Sequence, residues 1–157
     1  MTKEENVVSE LVKKFGFLEG KTRIQRSRRI FTEAPLDLFM EIFEYAMKNL
    51  GFVILSTITG LDEGTTLGFL YHIAREDGIM LNIKVNVDRN NPVIKTITGY
   101  FLAADIYERE VMDLLGAKVE GLPEGNRYPL SDDWPVGEYP LRKDWKKARS
   151  TKEVNNA

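Results

Sequence analysis

The chain has 157 residues, a formal net charge of −2 and 43% hydrophobic residues. This length suits one domain that buries a core without disulfides or metals, and the slightly acidic balance argues against nucleic acid or an anionic membrane as the main partner. The chain has no cysteine and only one histidine, His72, which excludes thiolate-bound iron–sulfur or zinc sites and metal sites built from several histidines.

The sequence also contains no glycine-rich phosphate-binding motif, so an enzyme would depend on carboxylate, lysine, arginine and tyrosine side chains. No apolar run approaches the ~18 residues of a membrane span, and the N-terminus does not resemble a signal peptide. We therefore expect a cytoplasmic chain without a membrane span.

Two helices and a strand are predicted in the first third of the chain. Residues 4–15 place apolar residues at helical spacing, and residues 36–51 do so more strongly, with Pro35 suited to a first turn and Gly51 to a helix end. Residues 22–31 are predicted to form one strand. Its basic residues suit the edge of a sheet, where charge discourages pairing with stray strands.

Four strand-like runs follow, at 52–59, 66–76, 79–87 and 93–101. The third run alternates apolar and polar residues, which is typical of a half-buried antiparallel strand, and short turn sequences separate several of the runs. The predicted fold class is α+β: a mostly antiparallel sheet of about four to five strands with helices packed on it, followed by an extended C-terminal segment.

A third helix is predicted over residues 105–116. Asp105 and Glu108 have the spacing of a capping box, and Gly116 suits the C-terminal end. Glu110 is predicted to lie beside the apolar face, where a carboxylate is costly unless it is paired.

The stretch from Gly121 to Trp145 has no hydrophobic period and is rich in aromatic residues and prolines. A stretch of this length without secondary structure is usually disordered or bound to something, and the aromatic residues favour the second. We therefore divide the chain into an α+β domain at residues 1–120 and an extended docking segment and tail at residues 121–157.

His72 lies among apolar residues of a predicted strand. Because no serine or cysteine nucleophile pattern accompanies it, we interpret it as a hydrogen-bonded structural histidine rather than a catalytic one. The carboxylates around Arg109 could form an acid–base pair, but charges one helical turn apart are more often a salt-bridged surface.

Two sequence blocks together resemble the signature region of the 30-kDa subunit family of respiratory complex I, the NADH dehydrogenase. "YEREVMDLLG" follows the family pattern E-R-E-x-x-D-x-x-G, and "DDWPVGEYPLRKDW" contains D-D-W and P-L-R-K-D followed by an aromatic residue. Relatives of this family occur in membrane-bound, energy-converting nickel–iron hydrogenases. Where the complex I pattern has G-H-P, this chain has Leu122 in the histidine position, which favours the hydrogenase-like or related ferredoxin-linked branch.

The resemblance implies a non-catalytic peripheral subunit on the cytoplasmic face of the membrane, which stabilises a large catalytic subunit and an adjacent iron–sulfur subunit. It implies that this chain binds no cofactor, while other subunits hold iron–sulfur clusters and, in the hydrogenase branch, a nickel–iron centre. The expected partners are a large nickel–iron-hydrogenase-like subunit, iron–sulfur subunits and membrane-arm subunits, with no nucleic acid.

The family's C-terminal extended segment lies along its large subunit, which suggests what the aromatic C-terminal stretch does. Tryptophan and tyrosine supply buried anchors, arginine can bind a carboxylate, and prolines reduce the entropy lost on docking. The predicted partner-interface residues are Glu108, Arg109, Glu110, Trp134, Tyr139, Pro140, Leu141, Arg142, Lys143, Asp144 and Trp145. Of these, we expect Glu108, Arg109 and Glu110 either to brace the segment internally or to join the same interface.

Three alternatives remain open from the sequence. One is the 30-kDa subunit of a quinone-reducing NADH dehydrogenase. Another, of a different class, is a free-standing RNA-binding module that uses the basic strand 21–31. An unrecognised carboxylate-dependent enzyme ranks last. Steep, log-linear weakening of binding with salt would distinguish RNA binding from an aromatic docking segment.

Overall fold

The computed structural model describes residues 1–146 of the chain. Its helices are α1 (Lys3–Lys14), α2 (Phe39–Leu50) and α3 (Ala104–Leu115), with single 3-10 turns at Gly16–Leu18 and Leu36–Leu38. Its strands are β1 (Thr22–Arg26), β2 (Arg29–Glu33), β3 (Ile54–Asp62), β4 (Thr66–Ala74), β5 (Met80–Asp88), β6 (Val93–Lys95) and β7 (Lys118–Glu120). The part of the predicted tail from residue 147 onward lies outside the described residues.

The main sheet has five strands in the order β1-β2-β5-β4-β3. All neighbouring strands are antiparallel except β2 and β5, which are parallel, and β6 and β7 form a separate parallel pair. The predicted α+β class with a mostly antiparallel sheet is therefore confirmed.

One face of the sheet forms the hydrophobic core. Phe69 lies opposite Val85 and Tyr71 opposite Ile83 in the β4–β5 register, and all four side chains are fully buried. Helix α2 packs on this face through Phe39, whose ring centroid lies 4.4 Å from that of Tyr71. The strict alternation along β4 and β5 places every second side chain in this core.

Helix α3 covers the β3 side of the same face at very short range. A Cβ atom on Gly60 of β3 would lie 2.2 Å from Cδ1 of Leu115. Glycine at this position therefore sets how closely α3 approaches the sheet.

The opposite face of the sheet is polar. The two ring nitrogens of His72 form hydrogen bonds with Thr59 Oγ1 (2.9 Å) and Asn82 Oδ1 (2.6 Å), and Asn82 Nδ2 donates to the backbone oxygen of Ile30 (2.8 Å). The predicted hydrogen bonding of His72 is confirmed, and its structural rather than catalytic role stays a prediction.

Three local predictions were wrong. Residues 22–31 form a hairpin rather than one strand, because the chain turns at Ser27 and Arg28, and Arg28 adopts a φ of 59°. In the run 93–101, only Val93–Lys95 is a strand. The predicted capping box is also absent, since α3 begins at Ala104 without a side-chain cap.

Candidate partner interface

The C-terminal end of α3 is the point to which the extended segment, residues 121–146, is attached. The helix ends at Gly116 with a φ of +76°, and a Cβ atom there would lie 2.5 Å from Cε2 of Tyr139. Both the left-handed backbone and the contact with the tyrosine ring require glycine.

The segment supplies hydrogen-bond donors to carbonyls that the last turn of a helix leaves without partners. Leu141 N donates to Leu114 O (3.0 Å), and Arg142 Nε donates to Leu115 O (2.7 Å). The guanidinium of Arg142 also lies 4.8 Å from the centroid of the Tyr139 ring. A cation at this end of α3 is favoured by the helix dipole.

Asp113 on α3 forms a second attachment point. Its carboxylate accepts hydrogen bonds from Arg127 Nε (3.0 Å) and Leu130 N (3.1 Å), and Arg127 Nη1 in turn donates to Trp134 O (2.7 Å). One carboxylate on the helix thereby fixes the course of the chain from Arg127 to Trp134.

Arg109 fixes the start of the segment. It binds the Asp105 carboxylate through Nε and Nη2, and Nη2 also donates to Pro123 O (2.7 Å). A Cβ atom on Gly125 would lie 2.5 Å from Arg109 Nη2, so the chain passes directly over the guanidinium.

The last part of the segment is held by an ion-pair network at the end of the main sheet. Asp62 on β3 pairs with Arg89 and accepts a hydrogen bond from Lys143 N (2.7 Å), while Arg89 Nη2 binds Asp144 Oδ1 (2.6 Å). The hydrogen bond from Arg89, together with those from the Lys143 and Gly64 amides, holds the pKa of Asp62 well below its usual range.

The two tryptophans form a cluster within the segment. Their ring centroids are 5.8 Å apart, Trp134 Nε1 donates to Glu138 O (2.9 Å), and Trp145 Nε1 donates to Glu138 Oε2 (3.2 Å). Both indole N–H groups are therefore satisfied within this chain, and the rings are half-buried.

Several apolar side chains of the segment are exposed. Val136 is 97% exposed, Leu141 55% and Tyr128 46%. Val136 lies at the tip of a turn in which Glu138 N donates to Pro135 O and Gly137 adopts a φ of +83°. A groove of about 400 Å³ between α3 and the segment adjoins Val136 and Tyr128.

The predicted interface residues lie inside the domain, at a cavity beside α3, or on the segment and its attachment points. Glu108 is fully buried and accepts hydrogen bonds from Thr96 Oγ1 (2.6 Å) and Ile97 N (2.7 Å), so its carboxylate is an internal contact. Burial raises the pKa of Glu108. Glu110 lines a small cavity beside Leu141.

The remaining predicted residues lie on the segment or bind it. Tyr139 and Arg142 contact α3, Trp134 and Trp145 contact each other, and Lys143 and Asp144 are exposed, with Asp144 bound to Arg89. Sequence reasoning missed Val136, although a valine between Pro135 and Gly137 is the kind of residue that a turn exposes.

Two broader properties of the described residues bear on function. Among residues 1–146, no three histidine, aspartate or glutamate side chains are grouped closely enough to hold a metal ion. Within the same range, no helix has the length and apolar character that a membrane crossing requires.

The chain is similar to known proteins over most of its length. The family model described as "Respiratory-chain NADH dehydrogenase, 30 Kd subunit" matches residues 33–151. A subunit of the NADH-quinone oxidoreductase of Moorella thermoacetica is 31% identical over 90% of this chain and 95% of the relative. Membrane-bound hydrogenase subunit beta of Pyrococcus furiosus is also 31% identical, over 93% of this chain and 88% of the relative.

A solved structure shares the fold. One chain in the structure of the membrane-bound sulfane sulfur reductase, an archaeal respiratory membrane complex, superposes with a TM-score of 0.81 at 27% sequence identity. The match covers 93% of this chain and 87% of that one.

Proposed function

This chain belongs to the family of the 30-kDa subunit of respiratory-chain NADH dehydrogenase, and on that premise we propose that it is a non-catalytic peripheral subunit of a membrane-bound redox complex. In this role it stabilises the large catalytic subunit and the adjacent iron–sulfur subunit. It lies on the cytoplasmic face and reaches the membrane only through its partners.

The observation that carries the proposal is the arrangement of the C-terminal segment. Its polar contacts are directed inward, to α3 through Arg142 and Asp113 and to the main sheet through Asp62. Its most exposed apolar side chains, Val136 and Leu141, are accessible to a partner. A segment already held in one conformation loses little entropy when a partner covers its apolar side.

Electron transfer in the proposed complex belongs to other subunits. This chain has no cysteine with which to bind an iron–sulfur cluster. We propose that the clusters, and a nickel–iron centre in a hydrogenase-like complex, lie in the partners. Sequence identity to these two relatives does not separate the branches, since the NADH-quinone oxidoreductase subunit and the hydrogenase subunit beta are each 31% identical to this chain.

The test is recovery of partner subunits with a tagged chain from its native membranes in mild detergent, followed by mass spectrometry. Val136→Asp places a charge in the proposed contact, and recovery of the large subunit should fall about tenfold or more. Val53→Asp is the matched control, because Val53 is also an exposed valine (51%) but lies just before β3, away from the segment.

Both variants should unfold at the wild-type urea midpoint, which separates lost binding from lost folding. Recovery of the large subunit with Val136→Asp at the wild-type level would refute docking through this segment. Recovery of the wild-type chain without any redox subunit would refute the proposed function itself.

A further inference from the structure

Strand β1 is an open edge of the main sheet. It is the outermost strand next to β2, and residues 23–26 are exposed. In the described part of the chain, the backbone groups of β1 form hydrogen bonds only with β2. The other side of the strand therefore presents backbone N–H and C=O groups without protein partners.

The hairpin that contains this edge is unusually basic. Residues 21–29 include five basic residues and no acidic one, in a chain whose net charge is −2. None of the five forms a salt bridge within residues 1–146. By contrast, Arg75, Arg89, Arg109 and Arg127 each bind a carboxylate.

The two sides of the edge differ in character. Arg23 lies over the ring of Phe31 on the polar face of the sheet, 4.2 Å from its centroid. On the core side, Ile24 is 41% exposed and lines a groove of about 350 Å³ together with Val8 and Val12 of α1. Because successive side chains of a strand alternate, an added strand would place one row in this groove and the other row beside Arg23.

Acidic residues of this chain indicate which face of an added strand would lie in the groove. Glu5 and Glu19 line the groove on the core side. Carboxylates of an added strand would be repelled there. They would be attracted on the polar face of the sheet beside Arg23, which we call the arginine side. Apolar side chains of the added strand would fit between Val8, Val12 and Ile24.

We propose that the β1 edge binds an extended acidic segment of a partner protein by β-strand addition, with apolar side chains in the α1–β1 groove and carboxylates on the arginine side. This mode uses backbone hydrogen bonds for affinity and alternate side chains for specificity.

The basic residues, the short length of β1 and its register irregularity between Ile24 and Arg26 also limit indiscriminate pairing. A second copy of this chain is a poor occupant, because edge-to-edge pairing would bring arginines against arginines. An acidic strand meets no such repulsion. This proposal does not depend on the C-terminal segment or on the proposed function.

The test uses the full chain labelled with ¹⁵N and a short capped peptide that alternates glutamate and valine. Amide signals of residues 22–26 and of the groove should shift on titration, and exchange of the outward β1 amides with solvent should slow. A peptide that alternates lysine and valine is the control ligand and should produce no saturable shift.

Arg26→Glu tests the charge requirement, since Arg26 is exposed and makes no side-chain hydrogen bond or salt bridge in the described part of the chain. We expect the peptide affinity to fall about tenfold. Lys95→Glu makes the same charge change at another exposed strand position and should change the affinity less than about twofold. Equal losses in the two variants would reduce the effect to net charge and overturn the proposal.

Two further outcomes would also overturn it. One is the absence of shifts in residues 22–26 up to millimolar peptide. The other is tighter binding of oligouridylate than of the acidic peptide, with an affinity that falls log-linearly with salt, which would make the hairpin a nucleic-acid site.

Discussion

Strands β4 and β5 of the main sheet and the C-terminal segment are held in place by different forces. The strands bury one apolar row after another, such as Phe69, Tyr71 and Ile83, which are all fully buried. The segment buries no side chain fully, and it is attached through directed contacts such as Arg142 to Leu115 O and Lys143 N to Asp62. Burial resists local opening, whereas a few polar contacts at the surface release a segment at low cost.

Helix α3 belongs to both regions. Glu108, Val111 and Leu115 are buried on the side that faces the sheet and the β6–α3 connection, while Arg109 and Asp113 bind the segment. A change in α3 can therefore affect either region separately, depending on the side of the helix. Comparing the two sides is the most direct way to test how the regions differ.

The largest effect on the free energy of unfolding is expected from the buried apolar side chains of the main sheet. Phe69→Ala removes a fully buried ring and should lower the free energy of unfolding by about 3–5 kcal/mol, measured by urea denaturation. Val136→Ala truncates a 97% exposed side chain of the segment and should change it by less than about 0.5 kcal/mol. Similar losses in the two variants would mean that the segment is part of the cooperative core.

On α3, the buried carboxylate of Glu108 should have the next largest effect. Glu108→Ala leaves the buried Ile97 N–H without an acceptor and should lower the free energy of unfolding by about 1–3 kcal/mol. Glu110→Ala is the matched control on the same helix, because Glu110 is only half-buried and forms no hydrogen bond within the described residues. Its effect should stay below about 0.5 kcal/mol.

Glu108 should also make stability depend on pH. Burial raises the pKa of Glu108 above its ordinary value, so the folded chain keeps a proton that the unfolded chain releases. The contribution is fully present below the ordinary glutamate pKa, about 4.3, and is lost as pH rises through the folded pKa. Glu108→Gln cannot titrate, so its stability relative to the wild type should increase over that window. A constant difference between the two across this range would contradict this account.

Periodicity in the sequence predicted the elements that the apolar rows stabilise. Alternation identified β5, and helical spacing identified α2, because burial on one face leaves a regular pattern. The turn at Ser27–Arg28 was missed, since it contains no glycine, proline or asparagine to mark it.

The attachment of the segment could not be predicted in the same way. Arg142 and Leu115, or Lys143 and Asp62, lie far apart in sequence, and each contact involves a backbone group that carries no sequence signal. The family resemblance singled out Asp113 and Arg142 as residues of a common motif. It did not indicate that both bind the chain's own segment and helix. Residues that hold a surface segment follow no period, so only the fold brings them together.

Asp62→Asn, which weakens the attachment of the segment, should lower the free energy of unfolding less than Phe69→Ala does, by about 1–2 kcal/mol. The side chain of Asp62 is only 2% exposed, and the Arg89 pair keeps its pKa below the ordinary value. The contribution of Asp62 to stability is therefore present above the ordinary aspartate pKa, about 3.9, and is lost as pH falls through the lower folded value.

Limited proteolysis measures the attachment of the segment directly. A low concentration of protease should cleave Asp62→Asn within residues 121–146 at a rate at least severalfold higher than it cleaves the wild type. Asp132→Asn, an exposed aspartate without a side-chain contact in the described part of the chain, should be cleaved at the wild-type rate. If Asp62→Asn accelerates cleavage in β4 or β5 as much as in the segment, the segment and the sheet open together, and the distinction between the two regions fails.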